Sequence, residues 1–269
     1  MKNRINHCFE TLRRRNQKAF VAYICAGDPH LKATVDLAAA LEKAGTDILE
    51  LGLPFSDPLA DGIVNQLAAQ RALEAGATVQ GVLDCVRQIR RASQAPIVLY
   101  TYLNPIFQFG FERFHAEARD AGVDGLLILD LPAEEDLAVQ SDNEILHIRL
   151  IAPTTPPARV QKICDHADGF IYYVSREGVT GAQSTVLSSL NERVAAIRRS
   201  TKLPIAVGFG ISSAEQAREV AQVADAVVVG SAIVQQISEH GAAPELAEKL
   251  AAFVRPFVDA VKNPTAARD

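Results

Sequence analysis

Eight short apolar runs, rich in β-branched and long aliphatic residues, punctuate the chain at 20–25, 48–52, 97–102, 125–130, 148–152, 170–175, 205–207 and 226–230. Helical periodicity fills the gaps: Val79, Val82, Leu83, Val86 and Ile89 step along one face, as do Leu246, Leu250, Phe253, Val254, Phe257 and Val261. Several junctions repeat a pattern in which a helix exit is followed by an aspartate and then a strand: Ala-Gly-Thr-Asp47, Ala-Gly-Val-Asp124, His-Ala-Asp168-Gly and Val-Ala-Asp225-Ala. Two of them place Gly at the helix end, where a left-handed residue is needed. Continuously apolar strands are buried on both faces, and eight parallel βα units close on themselves. The predicted class is therefore α/β, a (β/α)8 TIM barrel, with an open doubly wound sheet as the second choice. Residues 1–15 read as an extra N-terminal helix capping the barrel's bottom, and Pro256 predicts a kink or break of the last helix near Arg255. A length of 269 residues suits one such domain spanning 1–269.

A net charge of −5, with basic residues dispersed, argues against nucleic-acid binding, and Arg13-Arg14-Arg15 reads as a solvated helix face. No window approaches about 18 uninterrupted apolar positions, so a soluble, cytoplasmic protein is expected. Cys8, Cys25, Cys85 and Cys164 lie far apart without C-x-x-C spacing, and the six histidines show no ligand spacing. The cysteines are expected to be reduced and buried, and no metal site is predicted.

Chemistry is concentrated around Asp47-Ile-Leu-Glu-Leu-Gly-Leu-Pro-Phe-Ser-Asp-Pro-Leu-Ala-Asp-Gly62. Glu50 stands inside an apolar strand, where an ionised carboxylate is costly, so its pKa should be raised into the range of a general acid/base. Asp61, past a Pro-bracketed loop, supplies a second carboxylate in wetter surroundings. Barrels of this kind carry their chemistry at the C-terminal ends of the strands. Glu50, Asp61, Tyr102, Asp130, Tyr172 and Tyr173 should thus face one mouth, with Tyr102 and Tyr173 as wall. The last three βα turns are Gly-rich: Gly178-Val-Thr-Gly181, Gly208-Phe-Gly-Ile-Ser-Ser213 and Gly230-Ser-Ala232. Together with a capping box at Ser212/Glu215 and a helix opening at Gly230-Ser231, they predict a phosphate site made of backbone donors.

The block Glu50-Leu-Gly-Leu-Pro-Phe-Ser-Asp-Pro-Leu-Ala-Asp-Gly62, together with Gly27-Asp-Pro29 and the three glycine turns, resembles the tryptophan synthase α subunit family across nearly the whole chain. The resemblance implies cleavage of indole-3-glycerol phosphate to indole and glyceraldehyde 3-phosphate, a carbon–carbon lyase reaction of tryptophan biosynthesis. It implies no cofactor in this subunit, and a β-subunit partner that uses pyridoxal phosphate, with an α2β2 assembly coupled allosterically. By the same matching, Glu50 transfers the protons and Asp61 accepts the indole N–H. Tyr23, Leu99, Leu126, Ile151 and Tyr172 would line the indole pocket beside Tyr102, and Thr180 would hold the loop over Asp61. Gly181, Phe209, Gly210, Gly230 and Ser231 would surround the phosphate.

The chain departs from the family after Gly62, where Ile63-Val64-Asn65 replaces a stretch that usually begins with Pro, which predicts a looser loop and a polar residue facing indole. The 132–152 stretch is short, so a brief fourth helix is expected. Loops 54–62 and 176–187 are expected to be mobile and to order on substrate or partner binding. Two other activities fit the same residues: a free-standing lyase that releases indole, and a weakly catalytic allosteric activator of the β subunit.

Overall fold

The computed structural model describes residues 3–133, 135, 144–175, 183–208, 210–241 and 243–264. The apolar runs form β1 (Ala19–Cys25), β2 (Ile48–Gly52), β3 (Ile97–Thr101), β4 (Gly125–Ile128), β5 (Leu146–Ile151), β6 (Ile171–Val174), β7 (Ile205–Gly208) and β8 (Ala226–Val229). They are parallel neighbours in sequence order, and β1 pairs with β8 at Ala19↔Ala226 to close the barrel. Helices α1 (Arg4–Arg14), α2 (Leu31–Lys43), α3 (Ile63–Glu74), α4 (Val79–Arg90), α5 (Leu103–Phe109) and α6 (Phe111–Ala121) lie in the first half of the chain. The second half contributes α7 (Pro157–Asp165), α8 (Gln183–Arg198), α9 (Ala214–Val223), α10 (Ser231–His240) and α11 (Leu246–Lys262). The brief helix expected after β4 falls on residues outside those described.

Alternation along each strand sorts side chains into two layers. Phe20, Leu49, Leu51, Ile97, Leu99, Leu126, Ile151 and Val207 pack outward in one cluster with helix residues such as Leu37, Val86, Phe114 and Val254. Val21, Ile48, Val98, Leu127, Ile148 and Val228 point inward. The bottom of this inner layer is sealed by Ile5, Phe9 and Leu12 of α1, with the Phe9 and Phe170 rings 5.7 Å apart. α1 starts where it does because the Asn3 side chain accepts from Ile5 N (2.9 Å) while its amide donates to the carbonyls of Asp124 (2.9 Å) and Glu144 (2.8 Å). Arg13, Arg14 and Arg15 are exposed, and the first two sit in the last turn, where cations complement the helix dipole.

The repeated aspartates have a common job at this end of the barrel. The backbone N–H groups of Asp47, Asp124, Asp168 and Asp225 donate to the carbonyls of Phe20, Ile97, His147 and Ile205 at 2.9–3.0 Å. Three of the carboxylates return the bond, accepting from the N–H of Phe20 (2.7 Å), Ile97 (2.8 Å) and Ile205 (3.0 Å). Each is also neutralised, Asp47 by Lys262, Asp124 by Arg90 and Arg4, and Asp225 by Arg198.

Two local expectations are corrected. α11 runs unbroken from Leu246 to Lys262 with Pro256 inside it. Val254, Phe257, Val258 and Val261 hold both halves against the outer core, which outweighs the hydrogen bond a proline forfeits. The cap of α9 is Ser213, whose side chain accepts from Gln216 N, while the Gln216 amide oxygen accepts from Ser212 N at 2.8 Å. Gln216 rather than Glu215 thus closes the turn, bonding Ser213 through its backbone N–H and Ser212 through its side chain.

Candidate active site

β2 delivers Glu50 into the barrel because its neighbours Leu49 and Leu51 belong to the outer layer. The side chain is 1% exposed, and neither carboxylate oxygen has a hydrogen-bond partner among the described residues. Burial, reinforced by the nearby charge of Asp61, pushes its pKa up to about 8. A protonated carboxylic acid with no partner, facing a cavity of about 290 Å³, is placed to donate to something that enters. A somewhat larger concavity of about 350 Å³ lies at the opposite end against α1, but its acids Glu10 and Asp225 are partnered.

The loop after β2 returns Asp61 to the rim of the Glu50 cavity. Its backbone is fixed by Asp61 N donating to Pro58 O (3.0 Å) and Gln66 Nε2 donating to Asp61 O (2.8 Å). Its carboxylate accepts from two phenols, Tyr100 Oη on Oδ1 at 2.9 Å and Tyr102 Oη on Oδ2 at 2.7 Å. Tyr102 also accepts from Ala60 N (2.9 Å) and packs against Phe55, tying the loop to the end of β3. Burial, with a further contribution from Asp61, raises the pKa of both phenols, so both stay protonated donors at neutral pH. The expected polar intruder, Asn65, lies in the first turn of α3 and lines the cavity, its amide 3.5 Å from Asp61 Oδ1. α3 begins at Ile63 without a proline.

Tyr23 and Tyr172 line the cavity as read from the sequence. Leu99, Leu126 and Ile151 do not: they point outward among the helices. The pleat explains the error, because Leu99 pairs with Leu51 and Leu126, and Ile151 with Tyr173, all on the outer face. One residue further along β3 comes Tyr100, one residue earlier on β5 comes Leu150, and Leu129 follows β4; these three line the cavity. Tyr100 escaped the sequence reading, although the signal that exposed Glu50, a polar atom inside an apolar strand, applied equally to it. Tyr173, expected at the mouth, packs with the outer layer, and Asp130 accepts from Leu103 N at 2.7 Å at the start of α5.

The opposite wall of the cavity is made by Gly210, Gly230 and Ser231. Gly210 has φ +72°, which L side chains rarely adopt, and Gly230 is the residue before α10, whose first residue is Ser231. The free N–H groups of this helix terminus and the Ser231 hydroxyl give an anion-compatible wall without a basic side chain. Thr180, Gly181 and Phe209 lie outside the described residues, as does most of loop 176–187.

The site can therefore shuttle a proton at Glu50, hold a cationic or N–H-bearing ring at Asp61, and seat an anion beside Gly230. Residues 9–262 match the family model described as tryptophan synthase alpha chain. The tryptophan synthase alpha chain of Opitutus terrae is 51% identical over 265 residues, covering 97% of this chain and 100% of its own length. That of Geobacter sulfurreducens is 48% identical with the same coverage. Among solved structures, the tryptophan synthase alpha chain of Legionella pneumophila superposes with a TM-score of 0.90 at 38% identity, covering 99% of this chain and 100% of that one. A chain of M. tuberculosis tryptophan synthase, in its aminoacrylate-bound form, gives 0.85 at 31% identity, with 97% and 100% covered.

Proposed function

Because the chain belongs to the tryptophan synthase alpha chain family, we propose that it cleaves indole-3-glycerol phosphate to indole and glyceraldehyde 3-phosphate with Glu50 and Asp61 as its catalytic pair. The observation that carries this reading is the buried, unpartnered Glu50 carboxyl in the cavity that Asp61 borders. Protonated Glu50 delivers its proton to indole C3, and positive charge develops toward the ring nitrogen, whose N–H Asp61 accepts. The Glu50 carboxylate so formed removes the proton of the adjacent glycerol hydroxyl. The C–C bond breaks, its electrons restore the indole, and the hydroxyl carbon leaves as the aldehyde. Glu50 ends the cycle protonated. Every step uses side chains of this chain, and pyridoxal phosphate is assigned to the β subunit.

The phosphate is placed at Gly210, Gly230 and Ser231. Bulky replacements should act on binding: Gly210→Val forces a side chain into a positive-φ residue, and Gly230→Val puts a branched side chain on a Cβ already 3.4 Å from Tyr23. Both should raise KM by about tenfold or more while lowering kcat less. Titration calorimetry of glycerol phosphate showing unchanged affinity in both variants would remove phosphate from this wall.

A β-subunit partner in an α2β2 assembly is supported by apolar side chains left exposed at the mouth end. Leu59 is 91% exposed in the loop after β2, Ile63 65% at the start of α3, and Phe107 68% in α5. Isolated, the chain should cleave slowly, and a cognate β subunit should raise the rate by one to two orders of magnitude, the range that about 1–3 kcal/mol of coupling permits. Fast cleavage without a partner would favour a free-standing lyase instead, and activation of β without cleavage a regulator. A cytoplasmic location suits such an enzyme, and no described helix is long and apolar enough to cross a membrane.

A further inference from the structure

Tyr100 and Tyr102 both reach Asp61, yet they come from different places and do different things. Tyr102 follows β3, and its hydroxyl serves the loop as much as the carboxylate, since it also accepts from Ala60 N. Tyr100 is inside β3, level with Gly52 of β2 and Leu127 of β4, so its ring projects from the barrel wall itself. That ring is held edge-on by Tyr23, with centroids 5.1 Å apart and planes at 70°. The one hydrogen bond found for its hydroxyl is to Asp61 Oδ1, at 2.9 Å. Asp61 belongs to a loop whose residues Ser56, Asp57, Leu59 and Ala60 are exposed, whereas Tyr100 is half-buried on a strand whose other residues are all buried.

We propose that Tyr100 is a positioning residue for the cleavage reaction, holding the Asp61 carboxylate from the barrel wall so that the ring N–H of the substrate meets an acceptor already oriented toward the Glu50 cavity. The inference rests on the role of Asp61 given above. An acceptor for charge that appears only in the transition state must be in place within about half an ångström before the charge develops. A phenol on each oxygen fixes the carboxylate plane, and Oδ2, which takes only the Tyr102 donor among the described residues, keeps a lone pair for the substrate. The loop-side phenol alone would leave Oδ1 held only by the long 3.5 Å contact from the Asn65 amide. Tyr100 is thus placed to affect turnover rather than substrate capture.

Tyr100→Phe keeps the ring and its edge contact with Tyr23 and removes only the hydroxyl. With a cognate β subunit present, kcat for cleavage of indole-3-glycerol phosphate should fall about tenfold, the usual scale for a hydrogen bond to a charged group, while KM moves less than twofold. In an Asp61→Asn background, followed by single turnover, the same substitution should cost nothing further, because the group it positions has lost its charge. Placing 4-aminophenylalanine at position 100, which restores a donor at the ring tip, should recover at least half of the lost kcat. Wild-type kcat in Tyr100→Phe would overturn the inference, as would an equal loss in the Asp61→Asn background, which would mark Tyr100 as packing. These outcomes are separable from failure of the parent reading: Asp61→Asn that keeps most of its turnover overturns both, whereas a severe Asp61→Asn beside a fast Tyr100→Phe removes only the role of Tyr100.

Discussion

Glu50→Gln should lower kcat for indole-3-glycerol phosphate cleavage by at least about a hundredfold with little change in substrate affinity, since positioned acid/base groups contribute factors of that size or more. Gln has the same shape but neither gives up nor takes the proton. Rapid-quench measurement of a single turnover isolates this step, and a variant that keeps a tenth of its rate would dismiss Glu50 as the proton carrier. The raised pKa adds two tests. The reaction begins from protonated Glu50, so kcat/KM should decline as pH rises through about 8. Stability should fall over a related window. The folded chain keeps the Glu50 proton up to about 8 while the unfolded chain loses it near 4.5, so each step upward between those values favours unfolding. Urea denaturation should therefore show Glu50→Gln gaining on the wild type as pH climbs from about 5 to 8. A gap independent of pH would mean that Glu50 titrates normally in the folded state.

Asp61→Asn should be nearly as damaging, with kcat reduced by two orders of magnitude or more. A neutral amide offers a carbonyl to the indole N–H but no charge to offset the one developing on the ring. The substitution also disturbs the two phenols: whichever amide atom is NH2 now faces a hydroxyl that had a carboxylate oxygen to donate to. Asp61→Glu, which keeps the charge but moves it by a methylene, should recover part of the rate. A turnover within threefold of wild type for Asp61→Asn would show that charge at this position is not used.

The parts of this molecule that were legible in the sequence are those where one physical requirement has one solution. Eight apolar runs separated by helical periodicity leave little choice but a closed barrel, and Glu50 within Ile-Leu-Glu-Leu has no reason to be there except chemistry. The facing of individual strand residues was legible only in part. In a half-exposed strand polar and apolar residues alternate and betray the pleat; in β4 every residue is apolar and the contrast vanishes, whereas in β5 His147 and Arg149 alternate with Ile148 and Leu150 and share the face of Ile151. Leu99, Leu126 and Ile151 were read as cavity wall by matching to the family, when their neighbours Tyr100, Leu129 and Leu150 occupy it. The start of β5 was placed two residues late because His147 is a poor strand signal, although it is buried and pairs with Leu126 of β4. The α9 cap slipped by one because Ser212 and Ser213 each have a suitable partner three residues on, and only the geometry of the turn chooses between them.

The aspartate bonds at the bottom of the barrel join β1 to β2, β3 to β4, β5 to β6 and β7 to β8, and among the described residues no aspartate makes the corresponding bond ahead of β3, β5 or β7. The construction unit of this barrel is therefore a strand–helix–strand module, and the eight strands are four such modules set in a ring. In the β1–β2, β3–β4 and β7–β8 modules the two strands share their ladder and a carboxylate clasp that locks their offset; β5–β6 shows only the backbone bond of Asp168, and successive modules share the ladder alone. The proposed site is split along the same lines: Glu50 and Asp61 come from the first module and its exit, both phenols from β3 and the residue after it, and the wall proposed for the anion from the last, so the cavity is complete only once the ring has closed.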